Sequence, residues 1–152
     1  MILKVPYYKQ DKDYTCGPVC LQMVFKYLGK FKSESKISKE VNAKLHSGTY
    51  RKRMISEANK MGFSCIAESN SSLEKIKHFV ELRLPVIVYY IEPADNIEHY
   101  AVIIGFKNNM IIMNDPWNGK NFKIKEGEFL SRWHNQRRTF KRWMMVISNS
   151  LQ

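Results

Sequence analysis

The sequence predicts an α+β fold, with N-terminal helices packed on a C-terminal antiparallel sheet. Three observations carry that expectation. Apolar residues recur at helical spacing through most of the first half of the chain. After Pro85 the pattern changes to β-branched and aromatic runs bounded by turn residues. Between two of those runs the segment Lys107-Asn108-Asn109 is short and turn-forming, as a hairpin requires.

Taken in order, Val19, Leu21, Met23, Val24, Tyr27 and Leu28 predict a mostly buried helix behind a Cys16-Gly17-Pro18 turn, ended by Gly29. Pro18 falls in its first turn, where a missing N–H costs nothing. A second helix is expected from about Ser35 to Leu45, where Ile37, Val41 and Leu45 recur every four residues. A third runs from Arg51 to Lys60 and stops at Met61-Gly62. Phe63 to Ala67 reads as a short strand. Ser72 to Leu82 reads as a helix with Leu73, Ile76, Phe79 and Val80 inward. Val86 to Ile91, Tyr100 to Phe106 and Met110 to Met113 are strands, the last two forming the hairpin. Asn118-Gly119 marks a further turn, followed by a strand near Phe122, a helix from about Glu126 to Trp133 and a closing strand from Trp143 to Ser148.

At 152 residues and 44% apolar side chains, the chain is expected to form one domain around one core, with no linker. Met1 to Gln10 lacks the apolar core and cleavage site of a secretory signal, and no apolar run approaches the ~20 residues that span a bilayer. A cytoplasmic chain without a transmembrane segment is the expectation. The three cysteines, Cys16, Cys20 and Cys65, suit neither a disulfide framework nor zinc-ligand blocks, so reduced thiols and no metal are expected. The net charge of +11 favours anionic partners.

The residues that carry chemistry begin with Cys16. A free thiol, with a pKa of about 8.5, is mostly protonated at neutral pH, and only the thiolate is a good nucleophile. A helix start supplies unpaired N–H groups and the positive end of a dipole, both favouring the thiolate, and Gly17 leaves the sulfur approachable. Of the four histidines only His99 lies at the mouth of a core strand, where it can act as base. Asp115 follows the partner strand of the hairpin and is placed to orient the imidazole. Gln10, on the incoming loop, can join the Cys16 backbone N–H in an oxyanion hole.

The string Gln10-Asp11-Lys12-Asp13-Tyr14-Thr15-Cys16-Gly17-Pro18, then His99-Tyr100-Ala101-Val102-Ile103, then Asn114-Asp115-Pro116, resembles the bacteriocin-processing peptidases, family thirty-nine of the papain-like cysteine peptidases. Gly48-Thr49 and Gly62 also fall where that family has a Gly-Thr pair and a Gly after a helix. The resemblance implies a papain-like fold, a Cys-His-Asp triad with a preceding Gln, and no cofactor. It also implies a peptide substrate, in the best-known members a leader cut after Gly-Gly, and an export transporter as partner. Those members are fused to the transporter; this chain looks like a stand-alone member.

Plainer roles stand beside these. Cys20 and Cys65 are expected in the core, and His46, His78 and His134 at the surface. Gly17, Tyr100 and Trp117 are candidate substrate contacts, although for Trp117, as for Trp133, a place in the core is the commoner role. The basic run Arg137-Arg138 with Lys141-Arg142, interleaved with Phe140 and Trp143, comes with no nucleic-acid motif. It reads as a solvated face that can meet an acidic peptide or an anionic surface. Two rivals share the same constellation: a papain-like acyltransferase, and a non-catalytic peptide-binding module.

Overall fold

The computed structural model describes residues 1–149. Helix α1 (Cys16–Tyr27) is buried along its first ten residues, not on one stripe only. Full burial of Leu21, Met23, Val24 and Phe25 stabilises the fold by roughly 1.5–3 kcal/mol for each side chain. Its end is fixed at Gly29, whose φ of +97° lets the Gly29 and Lys30 N–H groups turn back onto the Lys26 and Phe25 carbonyls.

Helix α2 (Glu34–Glu40) is capped by Ser33, whose hydroxyl accepts from the Lys36 N–H. It is shorter than the sequence suggested, because Asn42 takes a left-handed φ of 57° and breaks the ladder. Val41 is still buried, but Leu45 lies beyond the break and is exposed. Helix α3 (Arg51–Lys60) and strand β1 (Phe63–Glu68) follow as read. In α4 (Leu73–Glu81), capped by Ser72, Ile76 and Val80 are buried while Leu73 and Phe79 only partly reach the core.

Strands β2 (Val86–Ile91), β3 (Glu98–Lys107), β4 (Met110–Asp115) and β5 (Gly119–Lys125) form a meander; α5 (Glu126–Arg132) then leads through a loop to β6 (Met144–Asn149). The sheet order is β1-β6-β2-β3-β4-β5, with every pair antiparallel. The β3–β4 turn places Asn108 and Asn109 at φ of 52° and 62°, the two left-handed positions of a tight hairpin. The last strand thus lies between the first and second, an arrangement that local pattern does not announce.

An N-terminal segment ties itself along the sheet toward the end of β4. Leu3 donates its N–H to the Ile104 carbonyl at 2.8 Å, beside the irregularity between Ile103 and Gly105. Further on, Asn114 Nδ2 donates to the Val5 carbonyl at 3.0 Å, the Tyr7 hydroxyl to the Asp115 carbonyl at 2.9 Å, and the Gln10 N–H to the Pro116 carbonyl at 3.1 Å. This track delivers residue 10 to the place where residue 115 ends its strand. Among the described residues no helix is long and apolar enough to cross a membrane.

Candidate active site

The β3–β4 hairpin carries two of the expected residues to one another. His99 is the second residue of β3 and Asp115 the last of β4, and their side chains meet with His99 Nε2 2.9 Å from Asp115 Oδ2. Asp115 is wholly buried. Burial alone would raise its carboxyl pKa, but the His99 contact, the Tyr90 hydroxyl and the Asn118 N–H outweigh it and hold the group below the usual carboxylate value. An ionised carboxylate only accepts, so Nε2 carries a proton and donates it to Asp115 Oδ2.

Two partners of that carboxylate were not singled out from the sequence. Tyr90 sits directly opposite His99 in the β2–β3 register and donates its hydroxyl to Asp115 Oδ2. Burial and the neighbouring carboxylate push the Tyr90 phenol far above its ordinary value, so it acts as donor only. Asn118, read only as a turn residue, donates Nδ2 to Asp115 Oδ2 at 3.2 Å and to Glu92 Oε1 at 3.2 Å. Asp115 Oδ1 accepts the backbone N–H groups of Trp117 and Asn118, both at 2.9 Å. That loop of short reach is the available sequence signal, since an Asp two and three residues before a turn commonly binds the turn's own N–H groups.

Cys16 opens α1 and is 8% exposed. The helix lacks a side-chain N-cap, because the Thr15 hydroxyl turns back to bond the Lys12 carbonyl and N–H. The N–H groups of Cys16 and Gly17 are thereby left to the sulfur, and the Tyr100 N–H reaches it from β3. These donors favour a thiolate, yet burial outweighs them, and together with the Asp115 charge it pushes the thiol up to about 11. Desolvation is the larger effect here, so the helix start supplies part of what a thiolate needs and not all of it. Cys16 and His99 are drawn together through Tyr100, the residue next to His99. A direct Cys16–His99 hydrogen bond is not among those of the described residues.

Gln10 arrives at the same end but spends its amide locally, donating Nε2 to the Lys12 carbonyl at 2.8 Å and the Asp13 carbonyl at 3.3 Å. Its Oε1 is buried without a hydrogen-bond partner, an unfavourable state that marks a strained or functional position.

The candidate substrate contacts divide. A Cβ on Gly17 would lie 3.1 Å from both Met54 Sδ and Thr49 Cβ, so a larger residue there would press α1 against Met54 and the Thr49 segment. The Tyr100 ring is buried, with its hydroxyl on the Thr49 carbonyl at 2.8 Å. The Tyr100 side chain is thus turned into the core, and its backbone N–H is the group that faces the sulfur. Trp117 is not a core residue: it is 43% exposed, with Nε1 donating to Asp95 Oδ2, whereas Trp133 is core. Cys20 is fully buried as expected. Cys65, on the edge strand β1, is only half-buried.

The family model described as the Peptidase C39 family matches residues 4–141. No curated protein matches the chain. Among solved structures, the peptidase domain of Streptococcus ComA, a bi-functional ABC transporter involved in a quorum sensing pathway, is 22% identical. The match covers 94% of this chain and 97% of that one, with a TM-score of 0.76. A double glycine motif protease from an AMS/PCAT transporter, in complex with the leader peptide, is 23% identical over 98% of this chain and 94% of that one, with a TM-score of 0.78. A C39-like peptidase from Bacillus anthracis reaches 18% identity, 99% and 98% coverage, and a TM-score of 0.78. At these identities the structures speak for the fold, and it is the match along nearly the whole sequence that establishes that the chain belongs to the peptidase C39 family, cysteine peptidases of papain-like fold.

Proposed function

We propose that the chain hydrolyses a peptide bond through a thioester, with Cys16 as nucleophile, His99 as base and acid, Asp115 as the group that orients His99, and Gln10 as an oxyanion donor. The observation that carries this reading is the 2.9 Å contact between His99 Nε2 and Asp115 Oδ2, made next to the strand residue whose N–H meets the Cys16 sulfur.

With Nε2 committed to Asp115, Nδ1 is the nitrogen left to take the thiol proton. The thiolate adds to the carbonyl carbon, and the resulting oxyanion is held by the Cys16 N–H and by Gln10. Gln10 takes part once its longer bond, to the Asp13 carbonyl, is given up. His99 then passes its proton to the leaving nitrogen as the C–N bond breaks, leaving a thioester on Cys16. Water, deprotonated by His99, attacks the thioester; the C–S bond breaks, and the acid and the thiol are restored. One water is consumed per bond cut, and no cofactor enters the balance. Because the thiol is pushed up by burial, the proton moves as attack occurs and not beforehand.

The substrate in this reading is a leader peptide cut after Gly-Gly, with an export transporter as partner. Its support is the likeness in fold to the leader-bound transporter protease. The test is incubation of the protein with leader-type and randomised peptides. Wild-type protein is expected to yield free acid and amine products. Cys16→Ala is expected to yield none while its melting temperature stays within a few degrees. Turnover by Cys16→Ala would remove the proposal.

A further inference from the structure

Outside the triad, one cation stands out. Arg51 opens α3 two residues after Thr49, and Thr49 is the residue against which Gly17 packs and onto whose carbonyl Tyr100 bonds. Arg51 therefore starts its helix beside the segment on which α1 and Tyr100 pack. Its guanidinium carbon lies 3.5 Å from the centre of the Phe140 ring, a cation–π contact that spends no N–H on a hydrogen bond. Among the described residues no ion pair involves Arg51. Lys32 with Glu57, Lys75 with Glu68, Lys77 with Glu126 and Arg132 with Glu128 are, by contrast, paired.

The stack continues toward the catalytic strand. Tyr89 lies 5.5 Å from Phe140 and 4.7 Å from Tyr100, centroid to centroid. Cys16 and Arg51 both lie within electrostatic reach of the Tyr89 and Tyr100 phenols. The loop that presents Phe140 is pinned beside His99, since the Gln136 N–H donates to Glu98 Oε2 at 2.7 Å. Next to Arg51 opens a cleft of about 480 Å³, lined also by Tyr50, Lys52, Ile55 and Trp143. Its one carboxylate, Glu68, is already engaged by Lys75. The cleft thus offers apolar walls and two cations, Lys52 and the planar fork of Arg51, the donor set for a carboxylate.

We propose that Arg51, laid on Phe140 beside Tyr89, is a carboxylate-binding subsite that fixes an acidic group of the substrate within about three residues of the bond Cys16 attacks. The inference rests on the peptidase reading above and adds to it a charge preference at one fixed position. The carboxylate is either an Asp or Glu side chain or the substrate's own C-terminus.

Two randomised decapeptide libraries, one C-terminally amidated and one with a free C-terminus, separate these sources when cut by the full chain and sequenced by mass spectrometry. In the amidated library, Asp and Glu should be enriched about tenfold over Asn and Gln at a single position relative to the cut, the factor expected for one charge-assisted fork. Arg51→Gln should bring that ratio to about one, and Arg51→Glu should turn the preference toward Lys and Arg. An Arg51-dependent preference confined to the free-ended library, at fixed distance from the terminus, assigns the carboxylate to the peptide end. A purely structural stack would lower the melting temperature of Arg51→Gln and leave the ratio untouched, and an unchanged ratio overturns the proposal. Should wild-type protein cut nothing, the peptidase reading fails by itself. The subsite is then judged by peptides retained on immobilised Cys16→Ala: Asp and Glu enrichment that disappears with Arg51→Gln supports it, and no enrichment overturns it.

Discussion

Asp115 receives three hydrogen bonds at Oδ2, from His99, Tyr90 and Asn118, and two at Oδ1, from the Trp117 and Asn118 N–H groups. So many donors around a wholly buried carboxylate fix both its charge and its direction, which in turn fixes the imidazole. Tyr90→Phe removes one donor without removing the charge. It should lower kcat by up to about tenfold, since one displaced orienting contact is at stake, while KM changes little; a KM effect alone would assign Tyr90 to binding. Gln10→Ala should lower kcat by about 10²–10³, the usual loss for an oxyanion donor, and Gln10→Glu, which replaces the donor by a charge, should not rescue it. Steady-state kinetics on one cleaved peptide reads both variants. At this scale Cys16, His99, Asp115 and Gln10 stand out as candidates because each residue type sits in an ordered string with turn chemistry around it, and of these His99 and Asp115 are in side-chain contact. Tyr90 was not, because its place opposite His99 depends on the β2–β3 register across a loop from Glu92 to Ile97 that the sequence leaves unspecified.

Among the elements, the β2–β3 connection and the N-terminal track hold the site. Glu92, buried at the end of β2, accepts the N–H groups of Ala94, Asp95 and Ile97 and meets Asn118 Nδ2. Burial would raise its pKa, but these donors hold it below the ordinary value; Asp115 is held low in the same way. A carboxyl whose folded pKa lies below its unfolded one binds fewer protons in the folded state. The stability that both groups contribute is complete above about pH 4.5 and drains as pH falls through their folded values. Urea midpoints measured from pH 7 down to pH 2 should show this fall for wild type and a shallower one for Glu92→Gln; identical slopes would remove Glu92 from the account. The N-terminal track depends on Gly105, where a Cβ would lie 2.6 Å from the Met1 carbonyl oxygen. Gly105→Ala should destabilise the fold by about 1–3 kcal/mol, the usual range for overpacking, measured by denaturant unfolding. Most helices and strands were read correctly because periodicity and turn residues agree. Helix α2 was overextended because Leu45 keeps the four-residue spacing past Asn42, and spacing does not register a left-handed break.

For the molecule as a whole, a net charge of +11 sets up a long-range field that draws acidic peptides and is screened by salt. kcat/KM for a Glu-rich peptide should fall several-fold between 0.02 and 0.5 M salt, while a neutral peptide of the same length changes little; equal responses would separate the charge from substrate capture. The architecture was legible in class, helices followed by antiparallel strands, but not in closure. That β6 inserts between β1 and β2 joins residues about eighty positions apart on one side and about sixty on the other, and no local pattern encodes it. The central claim is that Cys16 and His99 act as one unit although burial and the Asp115 charge, against the N–H groups around the sulfur, push the thiol up to about 11. Alkylation of Cys16 by iodoacetamide, followed by mass spectrometry from pH 6 to pH 11 in wild type and in His99→Ala, tests it most directly. The pair predicts appreciable reaction of wild type near neutrality and, in His99→Ala, a profile displaced toward pH 11 with at least a tenfold slower rate at pH 7. Superimposable profiles would contradict the claim.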